Sequence, residues 1–299
     1  MLFNKNSNGS QEIFQLTGAF EANTPFSAIE SEIRAATTEV GACVGKAVID
    51  HAQEIYDKTT PDADELEYLE DVRRPIAFLA VGNYAKTTIL RHDATGRKMT
   101  VGDNERVPFE WMIDRDDREL RERYFRALDT LFAFLSVAGD SSWKETQAYK
   151  NSEECLVKSL PEMEDVYPIE HSYYTYYRLL PLMLEAQRRL LKISGVTTLP
   201  EELLGAARRY IVLSALVTAL KRWAITIFPT EVARQFAPSY QGNKEKRAAT
   251  TEEIEWAISQ LEAQALEAET EILEVEKGNP YKGFPLIPEN DPKNKYFTT

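Results

Sequence analysis

The sequence predicts a mainly α-helical chain: two tandem, similar helical-bundle subdomains with short extended or hairpin segments, then an extended C-terminal arm. Three observations lead there. Apolar residues recur at spacings of three and four over long stretches, the period of one helix face. The second half repeats the order of features in the first. FSAIESEIRAATTEVGACVG (26–45) answers to YYRLLPLMLEAQRRLLKISG (176–195), and LEDVRRPIAFLAVGNYA from Leu69 answers to LGAARRYIVLSALVTAL from Leu204. Each pair is followed by a Trp-bearing polar stretch and a third helix, at a shift of roughly 140–150 residues, about one domain length. Finally, the chain ends in a Pro-rich stretch that cannot continue a helix. The expected division is 1–140 for the first repeat, 141–278 for the second with its linker, and 279–299 for the arm.

In the first repeat, QEIFQLTGAF (11–20) reads as a short strand or a docked arm. Thr24-Pro25 is a helix start, a hydroxyl cap followed by Pro at the first helical position. Phe26, Ile29, Ile33, Ala36, Val40 and Val44 then fall on one face until Gly45 interrupts, with KAVIDHAQEIYD able to resume the helix. A second helix is expected from about Asp64 to His92. Pro75 lies within it and predicts a kink or break, because proline lacks the amide donor and crowds the carbonyl of Asp71. HDATGRKMTVGDNERVPF reads as a loop or hairpin turning at Gly96 and Gly102. A third helix is expected from Asp116 to Val137, ended by Gly139.

The linker 141–172 holds Trp143, Tyr149, Leu156, Tyr167 and Ile169 among charges, too apolar for a bare tether, and predicts a docked, partly extended segment. The second repeat opens with Ser172 as a cap. Its second helix has Pro200 in the first turn and runs to about Phe228-Pro229; PSYQGNKEKRA follows as an exposed loop. The last helix has the clearest pattern. Thr250 and Glu253 form a capping box, and Ile254, Ala257, Leu261, Ala265, Ala268, Ile272 and Val275 form a heptad-like seam. Gly278 and Pro280 stop it. The arm beyond keeps Tyr281, Phe284, Leu286, Ile287, Tyr296 and Phe297, side chains for its own domain or for a neighbour.

Composition bounds the function. The chain has 299 residues, 43% hydrophobic, 28% charged, with a net charge of −13. That supports folded cores and argues against a sequence-independent grip on nucleic acid, which needs clustered Lys and Arg. No apolar run approaches ~20 residues, so no membrane span is expected, and no signal peptide is visible at the start. Cys43 and Cys155 sit far apart and do not support a disulfide framework, consistent with cytoplasmic synthesis; Cys43, on the apolar face of its helix, reads as a small buried hydrophobe.

The residues offer no catalytic centre, cofactor site or metal site. His51, His92 and His171 do not fall at metal-ligand spacings, and His171 reads as a cap or surface residue. Asp114, Asp116 and Asp117 are interleaved with Arg115, Arg118, Arg121 and Arg123, the pattern of i, i+4 ion pairs on a solvated face. The double arginines Arg73-Arg74 and Arg208-Arg209 hold equivalent places in the two repeats. One reading packs their stems and pairs their heads internally; the other makes them a subunit contact. The final helix, with Glu262, Glu267, Glu269, Glu271, Glu274 and Glu276, is a solvated face, a partner for those arginines, or a negative channel wall. The candidate interface set is Arg73, Arg74, Arg208, Arg209, Glu269, Glu276, Tyr281, Phe284, Tyr296 and Phe297.

These blocks resemble a known family. The opening LFN, the helix ending at Val44-Gly45, LEDVRRPIAFLAVGNYA, PFEWMIDRDDRELRERYFRALDTLFAFL, WKETQAYKNSEECLVKSLPEMEDVY and HSYYTYYRLLPLM are similar, in pattern and order, to a two-repeat family of Bacteroidota tailed phages and prophages. Those proteins look like head–tail connector, or adaptor ring, components. The resemblance implies a helical subunit of a ring, a dodecamer, beneath a portal protein and above the next neck or tail protein. DNA would pass the lumen without sequence-specific binding. It implies no catalytic residues, and a place in the virion neck after assembly in the host cytoplasm. Alternatives are a cytoplasmic helical adaptor or a ligand-binding bundle.

Overall fold

A computed structural model describes residues 1–88, 91–93, 96–98, 109–138, 140–194, 200–222, 234–236, 246–248 and 250–276, with the backbone alone at the four strands and at 275–276. The described chain is mainly α, as the sequence predicts: eleven α-helices and two short antiparallel hairpins. It divides into two compact units. The first holds Met1–Glu153 and Glu170–Arg178; the second begins with Glu154–Ile169 and resumes at Leu179.

Unit 1 opens with α1 (Gly9–Thr17), where a strand or docked arm was expected. Ten residues carry too few repeats to tell period 2 from period 3.6. The helix wins because it buries Ile13 and ends cleanly at Gly18, whose φ of 64° closes the last turn. The Thr17 hydroxyl donates back to the Ile13 carbonyl at 2.8 Å. A 3₁₀ turn (Phe26–Ala28) then leads into α2 (Glu30–Val44). Ile29, Ile33, Ala36, Val40 and Val44 are all fully buried. Each large member of such a stripe contributes roughly 1.5–3 kcal/mol by leaving water. Gly45 ends α2, and α3 (Lys46–Asp57) resumes at once.

The next helix, α4 (Ala63–Thr88), continues through Pro75, which is buried with its neighbours. Tertiary packing of Val72, Ile76 and Ala80 holds the helix where propensity alone would end it. It stops before His92, which lies instead in β1 (Arg91–Asp93). That strand pairs with β2 (Gly96–Lys98), so a hairpin forms, but Gly96 is paired with Asp93 within the strand rather than placed at the turn; Gly102 lies outside the described residues. α5 (Glu110–Ala138) starts six residues earlier than Asp116, because the Phe109 carbonyl already accepts from Met112 and Ile113. It packs along α4.

The linker is docked and keeps extended backbone at Ser159, but it is more helical than expected. It forms three short helices: α6 (Ser141–Lys144), α7 (Gln147–Glu154) and α8 (Leu160–Glu164), with Asp140 and Ser159 as side-chain caps. Trp143 is fully buried, edge-on to Phe132 at 5.8 Å and to Tyr177 at 5.1 Å. That burial puts 141–153 in unit 1 rather than in a second repeat beginning at Ser141. Ser172 caps α9 (Tyr173–Ser194) as expected, its hydroxyl accepting from Thr175 at 3.1 Å.

In unit 2 a 3₁₀ turn (Glu201–Leu203) behind Pro200 leads into α10 (Leu204–Arg222); Phe228 lies outside the described residues. Within Glu201–Arg222 an 18-residue window is long and apolar enough to cross a membrane, with a mean hydropathy of 1.5, but 61% of that window is buried inside the chain. A helix apolar on every side is what a core position also requires. β3 (Arg234–Phe236) pairs with β4 (Lys246–Ala248), so the end of PSYQGNKEKRA is a strand rather than loop. α11 (Thr251–Glu276) closes the described chain with the expected capping box: Thr250 N donates to Glu253 at 2.8 Å, and Glu253 N to the Thr250 hydroxyl at 3.3 Å. Its seam residues Leu261, Ala265, Ala268 and Ile272 are buried, and α11 packs along α10. Each unit therefore contains a long helix, a short hairpin and a second long helix packed on the first.

Candidate functional site

The first arginine of each pair is turned inward. Arg73 on α4 is 13% exposed and ion-paired to Glu12 on α1. Its guanidinium carbon lies 4.6 Å from the centre of the Phe3 ring and 5.1 Å from that of Tyr56. Glu12 also accepts from the Tyr56 hydroxyl at 3.0 Å and from Asn4 N at 3.1 Å. Burial pulls the Arg73 guanidinium below its ordinary value, against the pull of Glu12. Lys5 completes the cluster: its ammonium donates to the carbonyls of Tyr56 at 2.7 Å and Lys58 at 2.6 Å. The cluster is a clasp for the N-terminal segment, and Arg73 is removed from the candidate interface.

Its counterpart behaves alike. Arg208 pairs with Glu162 on α8 at 2.9 Å and donates to the Leu156 carbonyl at 3.2 Å. In each unit the first arginine of the pair reaches a glutamate on a short helix that precedes the unit's first long helix. The second arginine is half-exposed: Arg74 pairs with Glu70 one turn back, and Arg209 lies 3.8 Å from Glu271 on α11. The sequence foresaw an arginine–glutamate pairing with the last helix; within unit 2 it occurs inside one chain. The side chain of Glu276, and Tyr281, Phe284, Tyr296 and Phe297, lie outside the described residues.

Glu269 lines a groove of about 480 Å³ in unit 2, with Arg189, Tyr210, Thr218, Lys221 and Glu262. Its cations are answered by carboxylates. Lys221 pairs with Glu262, Arg222 makes a two-pronged pair with Glu185 at 2.6 and 2.8 Å, and Arg189 lies 3.9 Å from Glu185. The hydrogen bond from Arg222 holds the Glu185 carboxyl below its usual range.

A second cavity, of about 280 Å³ in unit 1, is aromatic: Cys43, Phe132, Tyr174, Tyr177 and Arg178 line it. Cys43 is half-buried rather than buried. Desolvation, then the charge of Glu39, pushes its thiol up against the opposing pull of Arg178, which disfavours the nucleophilic thiolate. Among the described residues, no group of three or more His, Cys, Asp or Glu could hold a metal ion. Asp114 and Asp116 are exposed, and of the arginines between them and Arg123 only Arg123 makes the expected i, i+4 pair, with Glu119 at 3.0 Å.

The sequence reading passed over the exposed tryptophans. Trp111, in the first turn of α5, is 58% exposed; Trp256, in the second turn of α11, is 67% exposed; Phe109 beside Trp111 is 67% exposed. Both tryptophans follow a hairpin, within Glu110-Trp111-x-Ile113 and Glu255-Trp256-x-Ile258. That four-residue match was legible in the letters and is sharper than the double arginines. Comparison of the chain with protein-family models, curated proteins and solved structures finds no match.

Proposed function

We propose that this chain is a structural virion protein, a head–tail connector subunit that forms a ring beneath a portal in the neck of a tailed phage. The observation that carries the reading is the paired helix–hairpin–helix, each copy presenting an exposed tryptophan after its hairpin. Exposed tryptophans are the side chains most often found as anchors at binding hot spots. Duplicated units displaying the same side chain suit a ring, whose heterologous interface is met by every subunit. The net charge of −13 suits a lumen that repels the phosphate backbone and lets DNA pass. The family resemblance of the sequence supplies the portal and the next neck or tail protein as partners, and a dodecamer as the copy number. Ring formation is tested by co-expressing the chain with the portal of the same genome and imaging the purified assembly. A ring seated on the portal is the expected result. A chain that stays monomeric and passes the portal by overturns the reading.

One observation favours a ligand-binding bundle instead, the groove lined by Arg189, Lys221 and Glu269. Its charges already satisfy one another, so a ligand would have to displace an ion pair to bind there.

A further inference from the structure

The two exposed tryptophans sit in different electrostatic surroundings, and the difference is complementary. On α5, Trp111 shares a helix stripe with Arg115 and Arg118, at i+4 and i+7. Both arginines are exposed, and no ion pair engages them among the described residues. On α11, Trp256 shares its stripe with Glu252 at i−4, beside Glu255, again exposed and without an ion pair among the described residues. α11 carries no Lys or Arg at all.

We infer that the Trp111–Arg115 face of α5 in one copy docks antiparallel on the Glu252–Trp256 face of α11 in a second copy of this chain. The inference rests on the self-assembling role proposed above and names its contact. The register follows from helix geometry. With Trp111 set against Trp256, Arg115 lies about 6 Å further along α5, and Glu252 about 6 Å back along α11. Running antiparallel, the two fall opposite one another; running parallel, Arg115 faces the neutral Gln260. Two tryptophans at the centre give the aromatic anchor typical of binding hot spots, and the Arg–Glu pair at the edge selects partner and direction. Each chain offers one face of each kind, so the contact is heterologous and propagates from copy to copy.

Sedimentation velocity of the full chain over a concentration series tests this. Trp111→Ala and Trp256→Ala should each weaken self-association by about 30-fold or more. Arg115→Glu and Glu252→Arg should each weaken it about tenfold, and the double variant should recover most of the loss, because the swapped charges meet again across the same contact. Circular dichroism confirms that each variant remains helical. If wild type assembles and the double variant is no better than either single one, the contact is overturned while the assembly reading stands. If wild type neither self-associates nor joins a portal, the assembly reading falls and this contact with it.

Discussion

Arg73 and Glu12 form an ion pair between α4 and α1, with both side chains largely withdrawn from water. Removing one partner of such a pair strands the other charge, which costs far more than the pair itself contributes. Arg73→Ala is expected to lower the unfolding free energy by about 3 kcal/mol. It should also expose the segment before α1 to limited proteolysis. Urea titration checks the first effect, and mapping of the earliest cleavage site checks the second. A change below about 0.5 kcal/mol, the range of an ordinary surface substitution, would show that the clasp contributes little.

Gly45, between α2 and α3, has φ 98° and ψ 145°, a region that side chains with a Cβ rarely enter. An added Cβ would also meet Thr146 Cγ2 at 2.5 Å. Gly45→Ala should therefore destabilise the chain by about 2–4 kcal/mol. Thr146→Ala removes the Cγ2 contact but leaves its Cβ at 3.1 Å and gives up the hydroxyl's bond from Tyr149 N; measured against Thr146→Ala alone, the cost of Gly45→Ala should therefore be smaller but not zero. No cost at all would mean that the backbone there is unstrained.

Asp129 accepts hydrogen bonds from the Ser172 hydroxyl at 3.0 Å and from Tyr174 N at 2.9 Å. Burial nevertheless outweighs those bonds and raises its carboxyl above the ordinary value of 3.8. A carboxyl raised in the folded state favours folding when protonated, and that advantage disappears as pH rises through the folded value. Asp129→Asn keeps an acceptor without the buried charge. It should be more stable than wild type at neutral pH, and the gap should narrow as pH falls through the carboxylate range. Thermal melts of both proteins over a pH series measure the difference; a gap that widens toward acid contradicts the assignment.

Thiol chemistry separates the two cysteines. Cys155 is buried and Cys43 half-buried, and desolvation raises both thiols. An aromatic disulfide reagent at neutral pH should label the native chain slowly and only at Cys43, and label both after denaturation. Rapid labelling of Cys155 in the native state would contradict its burial.

Helices whose register repeats over several turns were legible in the sequence. The α2 stripe from Ile29 to Val44, the α11 seam and its capping box all stand where their spacing puts them. Short elements were not. In α1, and in α6 to α8, a helix of one or two turns leaves no period to read, and long-range burial of Ile13 and Trp143 decides the conformation. At Pro75 the helix does not break: packing on both sides carries it through where local propensity would end it. The arginine pairs stand out in the sequence, but the glutamates that Arg73 and Arg208 reach, on α1 and α8, lie too far along the chain for any local pattern to reveal. The exposed tryptophans carried a signal, the shared Glu-Trp-x-Ile, which becomes obvious once both are seen to open a helix behind a hairpin.

The clasp at Arg73 also orders events during synthesis. Leu2 and Phe3 are 1% and 2% exposed in the finished chain, yet Arg73, which covers the Phe3 ring, arrives late. Glu12 waits for a partner 61 residues downstream. At about 5–20 residues per second, that interval is several seconds of translation. Throughout it, the nascent segment presents Leu2, Phe3 and Ile13 uncovered at the ribosome surface, an apolar stretch of the kind that nascent-chain chaperones bind. Chaperone occupancy should peak there and end once α4 has cleared the exit tunnel, which ribosome profiling with chaperone capture would resolve.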